Sequence, residues 1–340
     1  MFKPLSQWME EKNGRYYQSP DTSIHEDFLT YAQSPQGLLT RANALDFHEW
    51  ASKNEKEGYE VLEVGVGIGA FAQGFLATLK ERDEKNGTDV FSRTHYLLAD
   101  FSKTMLEKAE DSLRKAGFSK SVSFCEYDAG LPVPDPAIGN RKFEQIRCNE
   151  LFSDLPADMG VNRNGKSVPV YYDQKMAARV QETPGGLGVL EEALLGKMPA
   201  GYFIPFNKTA ARSIINLHGH LAHGGHMDIF DYGFYRREDF DLPEAIWNDT
   251  VVREYGGQWT VDLDFLYLAC ALAEKGIKNE VEEQKEYAQK WMGGPLELDD
   301  AQEKSGLSYV RKENGDRSKM EKDGERYVED DFFYHMRIEA

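Results

Sequence analysis

The 340-residue sequence predicts an α/β fold in which a mainly parallel sheet carries helices on both faces, with a helical N-terminal extension and insertions. The stretch YEVLEVGVGIGAF (59–71) supports this prediction, because apolar residues typical of a buried strand lead into Gly65, Gly67 and Gly69. Apolar residues at helical spacing follow the glycines. Later strand-like segments alternate with helical ones, which is typical of a parallel sheet.

A strand, a glycine turn and a helix form the opening unit of a nucleotide-binding domain. Glycines let the backbone turn tightly and bring its N–H groups close to a ligand in front of the helix N-terminus. Gly65, Gly67 and Ala70 also fit the dinucleotide pattern G-x-G-x-x-G/A. Glu63 favours another ligand, since a carboxylate at that position is poorly placed beside a pyrophosphate and suits a cationic amino-acid group.

Residues 1–50 lack strand signals and are predicted to form a helical lead-in or lid. LSQWMEEK is predicted to be a short helix, GRYYQSP a turn, and SPQGLLTRANALDFHEWASKN an amphipathic helix entered through Ser34-Pro35. The aromatic residues of this region either form a flap over a bound cofactor or pack against the core; they are Tyr16, Tyr17, Phe28 and Tyr31.

Acidic residues follow the next two predicted strands. THYLLADFS reads as a strand that ends at Asp100, the position where nucleotide folds bind a ribose diol. Ser102 is predicted to cap the helix that follows. SVSFCEYDAG reads as a third strand ending at Asp128. Taken singly, Asp100 and Asp128 are each compatible with an ordinary turn. Because both follow Glu63 along the chain, each after a predicted strand, together they indicate a nucleoside site.

FEQIRCNELFSDLP is predicted to be the fourth strand and its exit, with Ile146 and Cys148 in the core. Ligands bind at the carboxyl ends of strands in open parallel sheets, so Asn149 and Glu150 should face the site. Residues 156–185 are predicted to be a hairpin insertion at the rim of that site. The chain thus divides into a lead-in (1–50), a binding core (51–275) and a C-terminal part (276–340).

Three further expectations concern the second half of the chain. LGVLEEALLGKMPAGYFIPFNKTAARSIINLHGHLAHGG is predicted to be helical, and GGHMDIFDYGF to be a fifth strand that ends near Asp231, which either belongs to the site or caps the strand exit. The charged segment 297–329 is predicted to be a mobile loop or a solvated surface segment. DFFYHMRIEA is predicted to return to the sheet as a final strand.

Composition limits the classes of partner. Forty basic residues against 58 acidic ones give a net charge of −18, which argues against nucleic-acid binding and favours a basic protein or a small molecule. Three widely spaced cysteines support neither a disulfide framework nor a zinc knuckle. The N-terminus lacks a signal-peptide pattern, and no apolar run is long enough to cross a membrane. We therefore expect a soluble, cytoplasmic protein.

The segment HGHLAHGGH places His218, His220, His223 and His226 within nine residues. Imidazoles at close spacing can bind zinc or iron. The interspersed glycines and the lack of an HExxH motif are unlike the usual metal sites, so we predict no metal here. A helix end and a turn that enters the fifth strand is the preferred interpretation.

Several further motifs stand beside the glycine loop in a fixed order: YLLADFS, CNELFSDLP, IFDYGF and TVDLDFLYL. Together they resemble the MidA-like methyltransferases, relatives of the mitochondrial complex I assembly factor that methylates an arginine of a respiratory subunit. The resemblance covers most of residues 14–275, and NELF is its most specific part. NELFSDLP departs from the family pattern N-E-h-h-D-x-h-P, because Ser153 replaces the aspartate and Asp154 follows one position later.

This resemblance implies a Rossmann-like class I S-adenosylmethionine (SAM) methyltransferase fold, with S-adenosyl-homocysteine as the product. The implied cofactor contacts are Glu63, Gly65, Gly67, Gly69, Asp100, Phe101, Asp128 and Asn149. Asp128 is expected near the adenine amino group. Glu150 is the implied catalytic residue, because a carboxylate would orient a cationic guanidinium and support attack by its nitrogen, with Asn149 as a hydrogen-bonding partner.

Three functions remain open from the sequence. The favoured one is a SAM-dependent methyltransferase of a protein arginine, with a protein substrate, no nucleic-acid or membrane partner, and a possible homodimeric state. The second is a methyltransferase of a small molecule or of another protein side chain. The third is a non-catalytic SAM-binding assembly factor.

Overall fold

The computed structural model describes residues 1–19, 37–133, 136–180, 187–240, 243–293 and 333–340, and the backbone of 309–312, 317–319 and 327–329. The α-helices are α1 (Leu5–Gln18), α2 (Leu38–Lys53), α3 (Ala70–Asn86), α4 (Val90–Arg93), α5 (Lys103–Lys115), α6 (Val189–Leu195), α7 (Lys208–His218), α8 (Glu244–Thr250), α9 (Phe265–Ala273) and α10 (Gln284–Met292). Of the helices in this described part, none is long and apolar enough to span a membrane.

The strands follow in chain order. They are β1 (Lys3–Pro4), β2 (Tyr59–Val64), β3 (Thr94–Asp100), β4 (Val122–Glu126), β5 (Phe143–Asn149), β6 (Asp158–Arg163), β7 (Lys166–Tyr172), β8 (Ala178–Val180), β9 (Phe203–Phe206), β10 (Leu221–Phe234), β11 (Val252–Tyr255), β12 (Gln258–Val261), β13 (Leu263–Asp264), β14 (Asn279–Glu283), β15 (Tyr309–Lys312), β16 (Arg317–Lys319), β17 (Tyr327–Glu329) and β18 (Phe333–Glu339). Short 3₁₀ helices occur at Pro136–Ile138, Phe152–Asp154 and Arg237–Phe240.

The central sheet has the strand order β14-β18-β10-β5-β2-β3-β4, with β13 beside β10. Strands β10, β5, β2, β3 and β4 are parallel, so their carboxyl ends lie at one edge. Strand β18 runs antiparallel to β10, and β14 runs antiparallel to β18. The predicted parallel sheet and final strand are both confirmed, and the C-terminal strands complete the core sheet.

Helices cover both faces of this sheet, as the sequence predicts. Helices α2, α3, α5 and α10 pack on one face, through side chains that include Phe47, Phe75, Leu106 and Tyr287. Helices α7 and α9 pack on the other face, in one cluster with the strand residues Leu62 of β2 and Ile146 of β5. Neighbouring residues of β2 alternate between the two layers, since strand side chains point to opposite faces.

A second, antiparallel sheet in the order β1-β7-β6-β9 is formed largely by the insertion. Strands β6 and β7 form the predicted hairpin, which turns at Asn164-Gly165 with φ of 53° and 76°. A turn with two positive φ angles favours this Asn-Gly pair. Strand β1, from the N-terminal region, pairs with β7, so the lead-in and the insertion share a sheet.

The N-terminal region differs from the prediction at two places, the first being Lys3–Pro4, which forms strand β1 although the region lacks strand signals. GRYY is not a turn, because α1 continues through Tyr16 and Tyr17 to Gln18. Tertiary contacts hold this last part of the helix: Tyr16 is buried, and the side chain of Asn13 donates to the backbone oxygen of Trp259. Ser34-Pro35, Phe28 and Tyr31 lie outside the described residues.

Three other segments also differ. FIPF is strand β9 and not helix, because Ile204 and Phe206 are fully buried and pair with β6. The third strand ends at Glu126, two residues before Asp128. Part of the segment predicted to be a loop, 297–329, forms the strands β15, β16 and β17; a Tyr-Val pair, two residue types common in strands, occurs in both β15 and β17. The rest of that segment lies outside the described residues.

The histidine-rich segment runs from a helix end into a strand, as the sequence suggested. His218 is the last residue of α7, and His223 and His226 belong to β10. Among the residues searched, those with a described position, no group of three or more potential metal ligands comes together.

A row of charges, three of them buried and one partly exposed, crosses four neighbouring strands. Glu63 of β2 is in register with Arg147 of β5, Arg147 with Asp228 of β10, and Asp228 with Arg337 of β18. Arg147 lies 3.6 Å from Glu63, and its guanidinium stacks between the rings of Phe71 and Phe75. We call these four residues the charge row.

Asn43 of α2 connects the two halves of the charge row. Its side chain accepts a hydrogen bond from Arg147 Nε at 2.7 Å and donates one to Asp228 Oδ2 at 2.9 Å. Burial opposes ionisation of Asp228, but Arg337 and His226 overcome it and hold the pKa of this carboxyl well below its usual range. Asp228 is therefore ionised, and hydrogen bonds connect it to the rest of the charge row.

Replacing Arg147 tests this network. Arg147→Met should lower the free energy of unfolding by about 3–5 kcal/mol, because it leaves Glu63 buried without its cationic partner. Adding Glu63→Gln should recover part of the loss, since the uncompensated charge is then removed. Denaturant unfolding measures both variants, with Arg114→Met as the control, because Arg114 lies in an exposed ion pair with Asp111. Equal stability of Arg147→Met and wild type would contradict this view of the core.

Candidate active site

A cavity of about 460 Å³ lies at the carboxyl edge of the parallel strands. It is lined by the ends of β2, β3 and β5, the glycine loop, the segment after β4, and helix α1. Its size is in the range of small-molecule and cofactor sites. All but one of the predicted site residues line it: Glu63, Gly65, Gly67, Asp100, Phe101, Asp128, Asn149 and Glu150.

Gly69 is the exception, since it is absent from the cavity lining. It precedes α3 with a φ of 77°, and a Cβ atom there would lie 3.1 Å from Ala109 Cβ of α5. Gly69 therefore lets the start of α3 approach α5 closely. Gly67 is different, because its φ is 50° and a Cβ atom would meet nothing within 4 Å. The backbone at Gly67 is open to a ligand.

Asp100 connects the glycine loop to α5. Its Oδ2 accepts a hydrogen bond from Gly67 N at 3.4 Å, and its Oδ1 accepts one from Ser102 N at 2.8 Å. Ser102 caps α5 as predicted, accepting from Met105 N. Burial raises the pKa of Asp100 to about 6, against the effect of these backbone donors. Asp100 can accept hydroxyl donors of a ligand at neutral pH.

The part of the cavity beside Asp100 is mainly apolar. Phe101, Leu131 and Pro132 line it, and Phe101 is about one-third exposed (36%). Asp128 lies among them, with Oδ1 accepting from Gly130 N at 2.8 Å. Apolar walls with one acceptor at hand suit a flat heteroaromatic ring with an amino group.

Glu63 reaches the cavity from the sheet. It is almost fully buried (2% exposed), is paired with Arg147, and accepts a hydrogen bond from the hydroxyl of Tyr96. Burial raises the pKa of Glu63, and Arg147 and Tyr96 oppose that shift. Arg147 was not predicted as part of the site. A signal was present, because an arginine in a strand predicted to lie in the core needs a carboxylate partner.

The exit of β5 has an unusual backbone. Glu150 adopts φ of 48°, a conformation that costs a residue with a side chain about 1–2 kcal/mol. Three hydrogen bonds hold the turn: Glu150 N donates to Phe230 O at 2.7 Å, and Phe152 N and Ser153 N donate to Asp231 Oδ2 at 2.9 and 3.1 Å. Asp231 thus caps this exit, and the strained Glu150 faces the cavity, as functional residues often do.

Asn149 has an unused acceptor. Its Nδ2 lies 3.4 Å from Glu150 Oε1, whereas its Oδ1 is buried and has no hydrogen-bond partner among the residues that the structure describes. A buried carbonyl oxygen without a partner is costly, and a ligand N–H would satisfy it. This oxygen suits the amino group of an amino-acid ligand.

Helix α1 forms part of the cavity wall. Met9, Glu10, Asn13, Gly14 and Tyr17 line it. The backbone oxygen of Tyr17 accepts a hydrogen bond from Ser102 Oγ at 2.7 Å, which ties the helix to the segment after Asp100. Of the two alternatives for the N-terminal aromatic residues, Tyr17 fits the cover and the buried Tyr16 fits packing. Asn13, Glu10 and Asp154 were not predicted, because only the tertiary structure brings them to the cavity.

The cavity is strongly acidic. Six carboxylates line it: Glu10, Glu63, Asp100, Asp128, Glu150 and Asp154. Within the described lining there is no lysine, arginine or histidine. Glu63 is paired with the buried Arg147, which is not part of the described lining, so the potential of the cavity favours a cationic ligand.

Gly65→Ala and Gly67→Ala separate the cost of backbone strain from the cost of steric crowding in the glycine loop. Each should lower the free energy of unfolding by about 1–2 kcal/mol, because both glycines have a positive φ. Gly65→Ala should cost about 1–3 kcal/mol more, since its Cβ would lie 2.8 Å from Leu151 Cδ1. Denaturant unfolding compares the two variants, and Gly67→Ala is the matched control. Equal losses would show that Leu151 does not press on the loop.

The comparisons with known proteins agree with this geometry. Residues 44–278, more than half of the chain, match the family model described as "Putative S-adenosyl-L-methionine-dependent methyltransferase". A crystal structure from Burkholderia thailandensis, bound to S-adenosyl-homocysteine, is similar over 100% of this chain and 88% of its own, with a TM-score of 0.66 and 15% identity. A second structure from this organism has a TM-score of 0.63 and 16% identity, over 100% and 87%. At such identities they establish the fold.

No curated protein matches the sequence. The fold of the two structures confirms the predicted class I methyltransferase sheet, and the family confirms SAM as the cofactor. The alternative of a dinucleotide, which the glycine spacing left open, is thereby set aside. The chain belongs to this family of SAM-dependent methyltransferases.

Proposed function

We propose that this protein transfers the methyl group of SAM to an arginine side chain of a protein substrate. The observation that carries the proposal is the acidic cavity, in which carboxylates of the described lining have no basic residue among them. A guanidinium is cationic over the whole physiological pH range and would be attracted to this end of the sheet. The resemblance of NELFSDLP and the accompanying motifs to MidA-like methyltransferases supports the same substrate class.

The residues of the cavity fit the cofactor. Gly67 leaves open space beside its backbone, and the buried Oδ1 of Asn149 is an acceptor in need of a donor. Asp100 would hold the ribose hydroxyls, and Asp128 with Phe101 would contact the adenine. The B. thailandensis structure, solved with S-adenosyl-homocysteine, supports this assignment. When bound, the cofactor supplies a methyl group activated by its sulfonium.

Glu150 is assigned the central role toward the acceptor. Its carboxylate would orient the guanidinium by charge-assisted hydrogen bonds and accept the proton that the attacking nitrogen must lose. The left-handed backbone at Glu150, held by the contacts of the β5 exit with Phe230 and Asp231, keeps this carboxylate at the cavity. Positioning of this kind is the main contribution an enzyme can make to an in-line displacement.

Calorimetry with SAM and with NAD tests the cofactor site. Wild type should bind SAM and not NAD, and Asp100→Ala should weaken SAM binding by about 10- to 100-fold, because charge-assisted hydrogen bonds are lost. Affinity in wild type should fall as the pH drops through about 6, where the Asp100 carboxyl becomes neutral. Asp111→Ala, an aspartate on the exposed side of α5, is the control. Unchanged affinity of Asp100→Ala would contradict the assignment.

Methyl transfer tests the acceptor role. With labelled SAM and an extract of its own cells, wild type should produce methylated arginine, detected by mass spectrometry of the labelled proteins. Glu150→Gln should keep SAM affinity and lose at least about 100-fold in turnover, the contribution typical of a general base. Label on a small molecule or on another side chain would identify the alternative substrate class. Full turnover by Glu150→Gln would remove Glu150 from the mechanism.

A further inference from the structure

Tyr96 of β3 lies beside Glu63 inside the central sheet, and it is not part of the cavity lining. Strand β2 runs between β3 and β5, with Glu63 in register with Leu98 on one side and with Arg147 on the other. Tyr96 precedes Leu98 by two residues, so its side chain lies on the same face of the sheet and reaches Glu63 diagonally. The carboxylate of Glu63 is therefore held between a phenol and a guanidinium.

The phenol oxygen of Tyr96 bridges these two charged groups. Arg147 Nη1 donates a hydrogen bond to it, and the phenol donates one to Glu63 Oε2. This direction is fixed, because a guanidinium has only donors and the phenol carries a single proton. Burial raises the pKa of Tyr96 well above its usual range, so the hydroxyl keeps that proton at physiological pH. Tyr96 is thus a constant donor to the carboxylate.

The second oxygen of Glu63 is left for a ligand. Tyr96 and Arg147 both approach Oε2, with Arg147 at 3.6 Å. Among the residues with described positions, none donates a hydrogen bond to Oε1. Glu63 is almost fully buried and lines the cavity, so a ligand there is the donor that this oxygen can meet. A buried carboxylate oxygen without a donor is costly, and a ligand N–H would satisfy it.

Asn149 offers another unsatisfied acceptor in the same cavity, its buried Oδ1. Strands β2 and β5 are neighbours, so Glu63 and Asn149 lie at adjacent strand ends. The methionine part of SAM carries an ammonium group, whose three N–H donors need more than one acceptor. A carboxylate and an amide oxygen at adjacent strand ends fit this group, and the carboxylate also supplies the opposite charge.

We propose that Tyr96 is a positioning residue of the cofactor site, whose hydroxyl holds Glu63 so that the second carboxylate oxygen accepts a hydrogen bond from the amino group of SAM. The inference rests on the cofactor site of the proposed function and does not depend on the methyl acceptor. Tyr96→Phe removes only the hydroxyl and keeps the ring, which packs edge-on against Phe75 at 5.6 Å. Glu63 then keeps Arg147 as a partner but loses the donor that fixes its orientation.

Calorimetry with two ligands tests the assignment. S-adenosyl-homocysteine has the amino group, and 5′-deoxy-5′-(3-carboxypropylthio)adenosine is the same molecule without it. Wild type should bind S-adenosyl-homocysteine about 10- to 100-fold more tightly than this analogue, as expected for hydrogen bonds to a charged group. Tyr96→Phe should reduce the ratio of the two affinities by about 10-fold and leave the affinity for the analogue within about twofold of wild type. A residue that only stabilises the sheet would weaken the binding of both ligands equally.

Tyr59→Phe is the matched control. Tyr59 is a buried tyrosine of the same layer at the start of β2, and its hydroxyl donates to Ala51 O at 3.0 Å. This variant should keep the wild-type ratio. Glu63→Gln should also reduce the ratio, because the charge is lost. Adding Tyr96→Phe to Glu63→Gln should change the ratio by less than about twofold, since Tyr96 acts through Glu63.

The outcomes separate this proposal from the proposed function. A wild-type ratio in Tyr96→Phe would overturn the role of Tyr96, and so would a further 10-fold loss in the double variant, because Tyr96 would then act independently of Glu63. Equal affinity of wild type for the two ligands would show that Glu63 does not bind the amino group, and the proposal would fail with it. Each of these results leaves the arginine acceptor standing, because the methyl-transfer assay tests it separately. If wild type binds neither ligand, the cofactor site of the proposed function fails together with this proposal.

Discussion

The charge row Glu63–Arg147–Asp228–Arg337 is the constraint on which the rest of this structure depends. Four neighbouring strands each contribute one charge, with alternating sign, to the same face of the central sheet. Side chains alternate along a strand, so a slip of one residue in any pairing would move a charge into the opposite, apolar layer. Burial of an unpaired charge is so costly that the row selects one register for β2, β5, β10 and β18.

That register also determines where the site is built. Glu63 and Arg147 lie just before the glycine loop and the β5 exit, so their pairing places the loop beside Asn149 and Glu150. Arg147 balances the charge of Glu63 inside the sheet. The acidic character that an acceptor would meet therefore comes from the loops beyond the strand ends, where Glu150 and Asp154 lie.

The N-terminal helix adds a second level of organisation. Helix α1 contacts the segment after Asp100 through Tyr17 and Ser102, and the β5 exit through Tyr17 and Asp154. It is also anchored outside the sheet, since Asn13 bonds to the backbone of Asp154 and Trp259. A single helix thus spans both halves of the cavity, and it belongs to the site as much as the strand ends do.

The sequence by itself determined the α/β class, the glycine loop, the acids after the strands and the Asn149-Glu150 exit. Each depends on a local pattern and on the rule that ligands bind at the carboxyl ends of parallel strands. It also indicated the insertion hairpin, since an Asn-Gly turn between two alternating runs is a local signal. Family membership and the cofactor then confirmed the nucleotide-binding interpretation.

Only the tertiary structure decided the remainder. Sequence patterns do not show that Gly69 packs against Ala109, that FIPF pairs as a strand, or that Tyr17 extends α1 over the cavity. The contacts of Arg147 and Asp154 were also decided by the tertiary structure. Their partners, Glu63 and Tyr17, lie 84 and 137 residues away along the chain. Such contacts come from burial between distant segments, and local propensity carries no information about which segments meet.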